Sequence, residues 1–295
     1  FSDRFARDPQ ACFYCPEMCR FSCPTAEALR TNAITPRAKM SLLHLEAQGY
    51  SVEQTTGSVA SQQWFLEQCT SCGRCTEFCV HEIDVGSNLR NARQSLFEKT
   101  GVVQEARVDL AAFVQLRGKV LFCEPTREHW WHAHPKILAK LGVDHVAAVD
   151  FATKRWQQGQ MSDSEVEQIA HALRGCTFFC AESPELAWFV AKALTEKKWK
   201  GKLTTVWQQL FDEMVGQEFS PDVAVHESGY LVRKLPHLGF SIPMYERGFM
   251  PFHSGWNAHD CGGESFYVEA HNHHAAIVAQ RFLKDLVEDG RTVQT

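Results

Sequence analysis

The sequence lacks a long apolar run, a basic excess and a glycine-rich nucleotide loop. None of its 295 residues falls in a stretch approaching the length of a membrane-spanning helix. The formal net charge is −5, which argues against nucleic acid as a partner, because phosphate contacts need a basic surface. No G-x-G-x-x-G occurs, so no Rossmann-type flavin or nicotinamide loop can be recognised. No signal peptide is legible. The chain opens on Phe1 rather than Met, so a few leading residues are expected to be missing. The length suits two domains, and a hydrophobic content of 44% is that of an ordinary globular protein.

What the chain does have is cysteine, twelve in all. Eight of them stand in two runs. The first is Cys12-Phe-Tyr-Cys15-Pro-Glu-Met-Cys19-Arg-Phe-Ser-Cys23-Pro24, and the second is Cys69-Thr-Ser-Cys72-Gly-Arg-Cys75-Thr-Glu-Phe-Cys79. The spacing C-x2-C-x2-C-x3-C-P is that of bacterial ferredoxins, in which thiolates hold [4Fe-4S] cubanes. The second run keeps this spacing, with Val80 where proline is usual. The first has three residues between Cys15 and Cys19 and keeps Pro24.

Three closely spaced thiols wrap three corners of a cube, while the fourth points away toward the neighbouring cluster. The expected ligand sets are therefore Cys12, Cys15, Cys19 and Cys79 for one cluster, and Cys69, Cys72, Cys75 and Cys23 for the other. Two rival readings are structural zinc and disulfides. Zinc sites pair two short C-x2-C knuckles rather than setting four cysteines in a dozen residues twice over. Disulfides suit small secreted scaffolds, and this chain can bury its own core. Cysteines in cluster-type spacing imply a reducing, cytoplasmic setting.

Around these runs the sequence predicts helices. Thr35 is an N-cap with Pro36 at N1 and Gly49 beyond the end, and Met40, Leu43 and Ala47 form its apolar stripe. A second helix is expected over residues 87–99, with Leu89, Ala92, Leu96 and Phe97 inward. Arg20, Arg74, Arg90 and Arg93 lie near the cysteines in sequence, either as cluster-stabilising cations or as solvated surface arginines.

A cysteine run, a Thr35-Pro-Arg-x-Lys39-Met40-x-Leu42 helix, a second run and a Leu89-x-x-Ala92-Arg93 helix follow in order. This segment resembles the ferredoxin part of the heterodisulfide-reductase C/D family. That family includes the iron–sulfur subunits of anaerobic glycerol-3-phosphate dehydrogenase, glycolate oxidase and lactate-utilisation complexes. The resemblance covers about the first third of the chain. It implies electron transfer between a flavin or dithiol partner and quinone or other carriers.

From residue 119 the pattern alternates. Strands are expected over residues 119–123, 146–149, 177–179, 203–206 and 222–226, and helices over 135–141, 165–173, 184–194 and 207–215. Ser162-Asp-Ser-Glu165 reads as a capping box. A final helix is expected to run to about residue 288. The fold class is thus α+β overall: a helical two-cluster ferredoxin-like domain (1–105), then an α/β domain with a mainly parallel sheet (106–295).

Ligands bind such sheets outside the carboxyl ends of the strands. Cys123, Cys176, Cys180 and His226 are expected along that rim, with His129, His132 and His134 in the turn after the first strand. Cys261 stands in a loop with His253, Trp256 and His259. A third site built from Cys123, Cys180, His226 and Cys261 would suit zinc, iron or another cluster. The region resembles the cysteine-rich CCG domain of the same family. Cys123 matches its first position, Cys176-Thr-Phe-Phe-Cys180 the paired position, and Asp260-Cys261-Gly262-Gly263 the Cys-Cys-Gly-Gly motif. Gly229 replaces a cysteine in His226-Glu-Ser-Gly229-Tyr-Leu-Val-Arg233, and Asp150 lies near another missing one. The resemblance is to a degenerate CCG domain. Three readings stand: a docking surface with cysteines as small hydrophobes, a third metal or cluster site, or a metal-free pocket using histidines such as His271, His273 and His274.

The expected function is an electron-transfer subunit of a multi-subunit oxidoreductase with two [4Fe-4S] clusters. Its partners would be other subunits, a flavoprotein or a quinone-linked protein, which could hold it at the inner face of the membrane. The alternatives are a catalytic chain with a Cys/His metal site fed by the clusters, and a zinc-bound interaction module without redox chemistry.

Overall fold

Thr35 caps its helix as the sequence requires: its hydroxyl accepts a hydrogen bond from the Ala38 amide at 3.3 Å, and Pro36 fills N1, where no N–H is needed. The computed structural model describes residues 3–50, 59–100, 116–123, 127–148, 155–215, 223–225, 228 and 230–238, with 276, 277, 280 and 292–294 near the C terminus. The expected boundary near residue 105 lies outside them.

The first part is helical: α1 (Asp3–Tyr14), α2 (Pro24–Leu29), α3 (Pro36–Ala47), α4 (Val59–Glu67), α5 (Arg74–Glu77) and α6 (Val85–Thr100). Its core joins Cys12, Met40, Leu66, Ile83, Val85 and Leu89, with Leu43, Ala92 and Leu96 packed against them. Ala47 departs from the expected stripe and is exposed. His44, one turn on from Met40, takes the inward position and its ring meets Phe13 at 4.7 Å.

The second part is built on four parallel strands in the order β2-β1-β3-β4: β1 (Gly118–Cys123), β2 (His145–Ala148), β3 (Cys176–Ala181) and β4 (Lys202–Thr205). Helices α7 (Glu128–Ala133), α8 (Pro135–Leu141), α9 (Asp163–Ala172), α10 (Pro184–Phe189) and α11 (Val206–Val215) accompany them. Both sheet faces are covered. Val120, Phe122 and Phe179 join the larger core, while Leu121, Cys123 and Cys180 join a smaller one with Trp131, Leu141 and Val206. Burial on both sides explains why these strands read as nearly continuous apolar runs.

One expectation is corrected here. The strand near residue 223 does not extend this sheet: β5 (Val223–Val225) pairs in parallel with β6 (Thr292–Gln294) as a separate two-stranded sheet. A three-residue Thr-Val-Gln strand is too short to show any period. The expected final helix falls almost wholly outside the described residues, of which 276, 277 and 280 are helical.

Ser162 caps α9, its hydroxyl accepting from the Glu165 amide at 3.2 Å. Glu165 does not close the capping box with its side chain. Its carboxylate instead takes two hydrogen bonds from Arg155, which is 2% exposed. Arg155 opens the segment that seams the two parts. Arg90 of α6 lies over the Trp156 ring at 4.4 Å and donates to the Trp156 carbonyl at 3.0 Å. Arg93 donates to the carbonyls of Gln157 and Leu66, at 3.0 and 2.7 Å. Gly159 then presses on the α6 backbone: a Cβ there would lie 2.3 Å from the Gln94 amide nitrogen, and its φ is +75°.

Gly159→Ala is therefore expected to pry the seam open, costing about 2 kcal/mol or more. Chemical denaturation of the variant beside the parent chain measures it. An unchanged midpoint would show that the seam contributes nothing to stability.

Candidate functional site

The first cysteine run starts inside α1 and winds past its end. Cys12 lies in the last turn of α1, the Cys15 amide donates to the Cys12 carbonyl at 3.2 Å, and Glu17 turns the chain with φ +65°. That left-handed residue sits in the three-residue gap and absorbs the extra position. Cys19 opens a short 3-10 turn (Arg20–Ser22), whose Ser22 hydroxyl donates to the Cys19 carbonyl at 2.6 Å. Cys23 is then the N-cap of α2, with Pro24 at N1. Arg37 on α3 fixes the end of α1 by donating twice to the Phe13 carbonyl, at 3.3 and 3.1 Å.

The second run turns through two left-handed residues, Ser71 at φ +58° and Gly73 at φ +77°. Gly73 is closely covered, with the Lys234 and Arg233 side chains 3.3 and 3.7 Å from where its Cβ would stand. The Ser71 Cα comes within 3.3 Å of the corresponding point on Gly86, so the start of α6 seats this loop.

These turns gather the thiols around two neighbouring pockets. Cys12, Cys15 and Cys19 line one together with Cys79. Cys23, Cys69, Cys72 and Cys75 line the other. Cys75 touches both. The first pocket thus draws three cysteines from the first run and two from the second, and the second pocket draws three from the second run and one from the first. Val80 is 81% exposed, so the missing proline costs no packing.

Gathering thiols makes their ionisation difficult without a cation. Burial pushes the Cys12 thiol up to about 12, and the charges of Cys79, Cys19, Cys15 and Asp8 push the same way. Cys19 rises to about 11 through burial and then Cys79. Cys75 is raised well above its usual value by burial, then by Cys72, Cys69, Cys23 and Cys19. Four such thiolates stand together only around a centre of high positive charge. Every described cysteine is free of disulfides. Among the described residues no three His, Cys, Asp or Glu side chains converge as a single metal ion needs. Four thiols spread around a pocket fit a multi-metal cluster better than one ion.

A family model described as a 4Fe-4S dicluster domain matches residues 8–83, which contain all eight thiols. Residues 8–83 are thus similar to an iron–sulfur domain. No curated protein and no solved structure matches the chain. No described helix is long and apolar enough to cross a membrane.

Polar groups surround the second pocket. The Thr25 hydroxyl lies 3.1 Å from the Cys23 sulfur, and the Ser71 amide donates to the Cys69 sulfur at 3.4 Å. Lys39, 2% exposed, places its Nζ 3.8 Å from the Cys23 sulfur. Arg74 is buried beside Cys75, whereas Arg20 is exposed, and Arg90 and Arg93 serve the seam. The one usable signal for Lys39 was a lysine one residue before the buried Met40 on an apolar helix face.

In the sheet, Cys123 and Cys180 share a face, since Cys180 is level with Leu121 in the register. Both are fully buried among apolar side chains, and the Cys123 thiol donates to the Ala147 carbonyl at 3.8 Å. Cys176 does not lie on their rim. It begins β3, level with Gly118, and packs into the opposite core, because the register shifts between Gly118 and Lys119. His129 and His132 of α7 are exposed, and His134 stacks on Trp130 at 4.1 Å. His226, Cys261, His253, Trp256, His259, His271, His273 and His274 lie outside the described residues.

Burial pushes Cys180 up to about 12; it raises Cys176 to about 11, against a partial opposing effect of Arg117. Both should therefore resist alkylation in the native protein at pH 8, reacting roughly 100-fold or more slowly than an exposed thiol. Mass spectrometry of iodoacetamide-treated protein, before and after denaturation, measures this. Prompt native labelling of Cys180 would mean that it faces an open site.

Proposed function

We propose that this chain is an iron–sulfur electron-transfer subunit of a multi-subunit oxidoreductase, carrying two [4Fe-4S] clusters. The observation that carries the reading is the crossing of Cys79 to the pocket of the first run and of Cys23 to the pocket of the second, with Cys75 at both. Cys12, Cys15, Cys19 and Cys79 hold one cluster, and Cys69, Cys72, Cys75 and Cys23 the other. When bound, such clusters store and pass single electrons at potentials set by hydrogen bonding, burial and charge. The chain's own residues do the rest. Cys75 keeps the two sites adjacent. The core of Met40, Leu66, Leu89 and Val85 keeps water from their inner sides.

Tyr14, Met18, Phe21 and Val80 support a partner on the first site. They are 59% to 81% exposed, and they belong to or flank the loops that line the first pocket. An apolar rim beside half-buried thiols suits the close approach that electron transfer needs. The partner is a flavoprotein or a quinone-linked or dithiol subunit, in line with the heterodisulfide-reductase C/D resemblance. The setting is the cytoplasmic side of a membrane or the cytoplasm itself. The second part then serves as a docking platform, in keeping with the apolar surroundings of Cys123 and Cys180. A catalytic third site would need polar donors beside those thiols.

Anaerobic purification should give a brown protein with about eight iron and eight sulfide per chain. Cys23→Ala should lose the cluster of the second run, and Cys79→Ala that of the first, each halving the iron. Zinc in place of iron, or fewer than about four iron in protected protein, would sink the reading.

A further inference from the structure

The two pockets differ sharply in charge. Lys39 is the one charged side chain among the described residues lining the pocket of Cys23, Cys69, Cys72 and Cys75. Its Nζ donates to the Gln68 carbonyl at 2.7 Å, lies 3.5 Å from the Thr25 hydroxyl, and reaches the Cys23 sulfur at 3.8 Å. No carboxylate among the described residues pairs with it, and it is 2% exposed. An ammonium group taken out of water is costly unless an anion compensates it. Among the described residues, the anionic chemistry beside Lys39 is that of this pocket's thiols once ionised.

The other pocket is lined by Glu17 and Arg37, which pair with each other at 3.9 Å, leaving Arg37 substantially exposed. His81, also at its rim, is exposed. Asp8 stands close enough to act on Cys12, and is held by the Asn88 amide at 3.2 Å. Among the described residues a backbone amide, that of Cys19 itself, donates toward the Cys19 sulfur, and no side-chain cation reaches a sulfur of this set as Lys39 reaches Cys23. One pocket thus holds a buried, unneutralised cation, and the other an acid-leaning and partly open set.

We propose that Lys39 makes the site of Cys23, Cys69, Cys72 and Cys75 the electron trap of the pair. The inference rests on the two-cluster reading above. A cation beside a group gaining negative charge favours the reduced form, because the attraction grows with each added electron and is little screened when buried. One electron leaves the donor at the Cys12 set, which is oxidised, and reduces the acceptor at the Cys23 set. No bond is made or broken, and no proton need move. Lys39 is a positioning residue here, acting through the field it sets.

The test is a potentiometric titration of the full chain, followed by electron paramagnetic resonance, with iron counted in every sample. Cys12→Ala assigns the signals, since the one remaining belongs to the Cys23 set. In the parent chain that signal should appear first on reduction. Lys39→Met should lower its reduction equilibrium at least tenfold, about 59 mV for one electron, and leave the other signal in place. Glu17→Gln should raise only the other. A parent chain in which the Cys12 set is reduced first would overturn the proposal, even if Lys39→Met failed to fold. So would a loaded Lys39→Met whose two potentials are unchanged or shifted equally. A parent chain with iron for only one cluster would instead overturn the two-cluster reading.

Discussion

Eight thiols crowd into two adjoining pockets, and the cost of ionising buried thiols side by side is the constraint on which the rest depends. Burial first, and then the charges of neighbouring thiols, push Cys12, Cys19 and Cys75 up. Such a set is tolerable only with strong positive charge at its centre, so the helices around it serve to hold an arrangement that the thiols alone would avoid. The exchange of Cys23 and Cys79 follows the same logic. Neither run can complete its pocket alone, so residues 12–23 and 69–79 must fold together.

The buried cations show how the remaining charge is distributed. Arg93 and Arg90 spend their donors on the carbonyls of Leu66, Gln157 and Trp156, fastening α6 to the seam. Arg155 is neutralised by Glu165 within the second part. Lys234 lies over the Trp188 ring at 4.1 Å and 3.8 Å from Asp84, on the cover of Gly73. Each of these cations has its carbonyl, ring or carboxylate. Lys39 likewise has a carbonyl, that of Gln68, and its ammonium also reaches the Cys23 sulfur, which ties it to the site as well as to the scaffold.

Much of this was legible because it depends on local chemistry. The Thr35, Ser162 and Ser183 caps, the prolines at N1 and the four central strands are short-range features, and each falls where its residues direct. The spacing of the two runs also speaks directly, since loop length decides which corners a run can reach. What could not be read depends on tertiary partners. Arg90 and Arg93 look like cluster cations in sequence, and only the approach of residues 156–159 shows them binding the seam. Cys176 looks like a rim ligand, and the register shift at Gly118 sends it to the other end and the other face. The place of Lys39 beside Met40 is a slight sign of burial, outweighed in sequence because long charged side chains usually reach solvent.

The seam also orders the two sites from outside to inside. The Cys12 set lies among Met18 and Val80, both exposed, while the loop of the Cys23 set is roofed by Gly73 under Arg233 and Lys234 and floored by Gly86. On the proposed electron-transfer reading, a partner on the apolar rim would meet the outer site first, and an electron would pass inward by way of Cys75, which lines both pockets. Burial alone would disfavour the added negative charge at the inner site, since a low-dielectric environment penalises any net charge. An inner acceptor thus needs a cation of its own, and Lys39 is the side chain that the fold carries there.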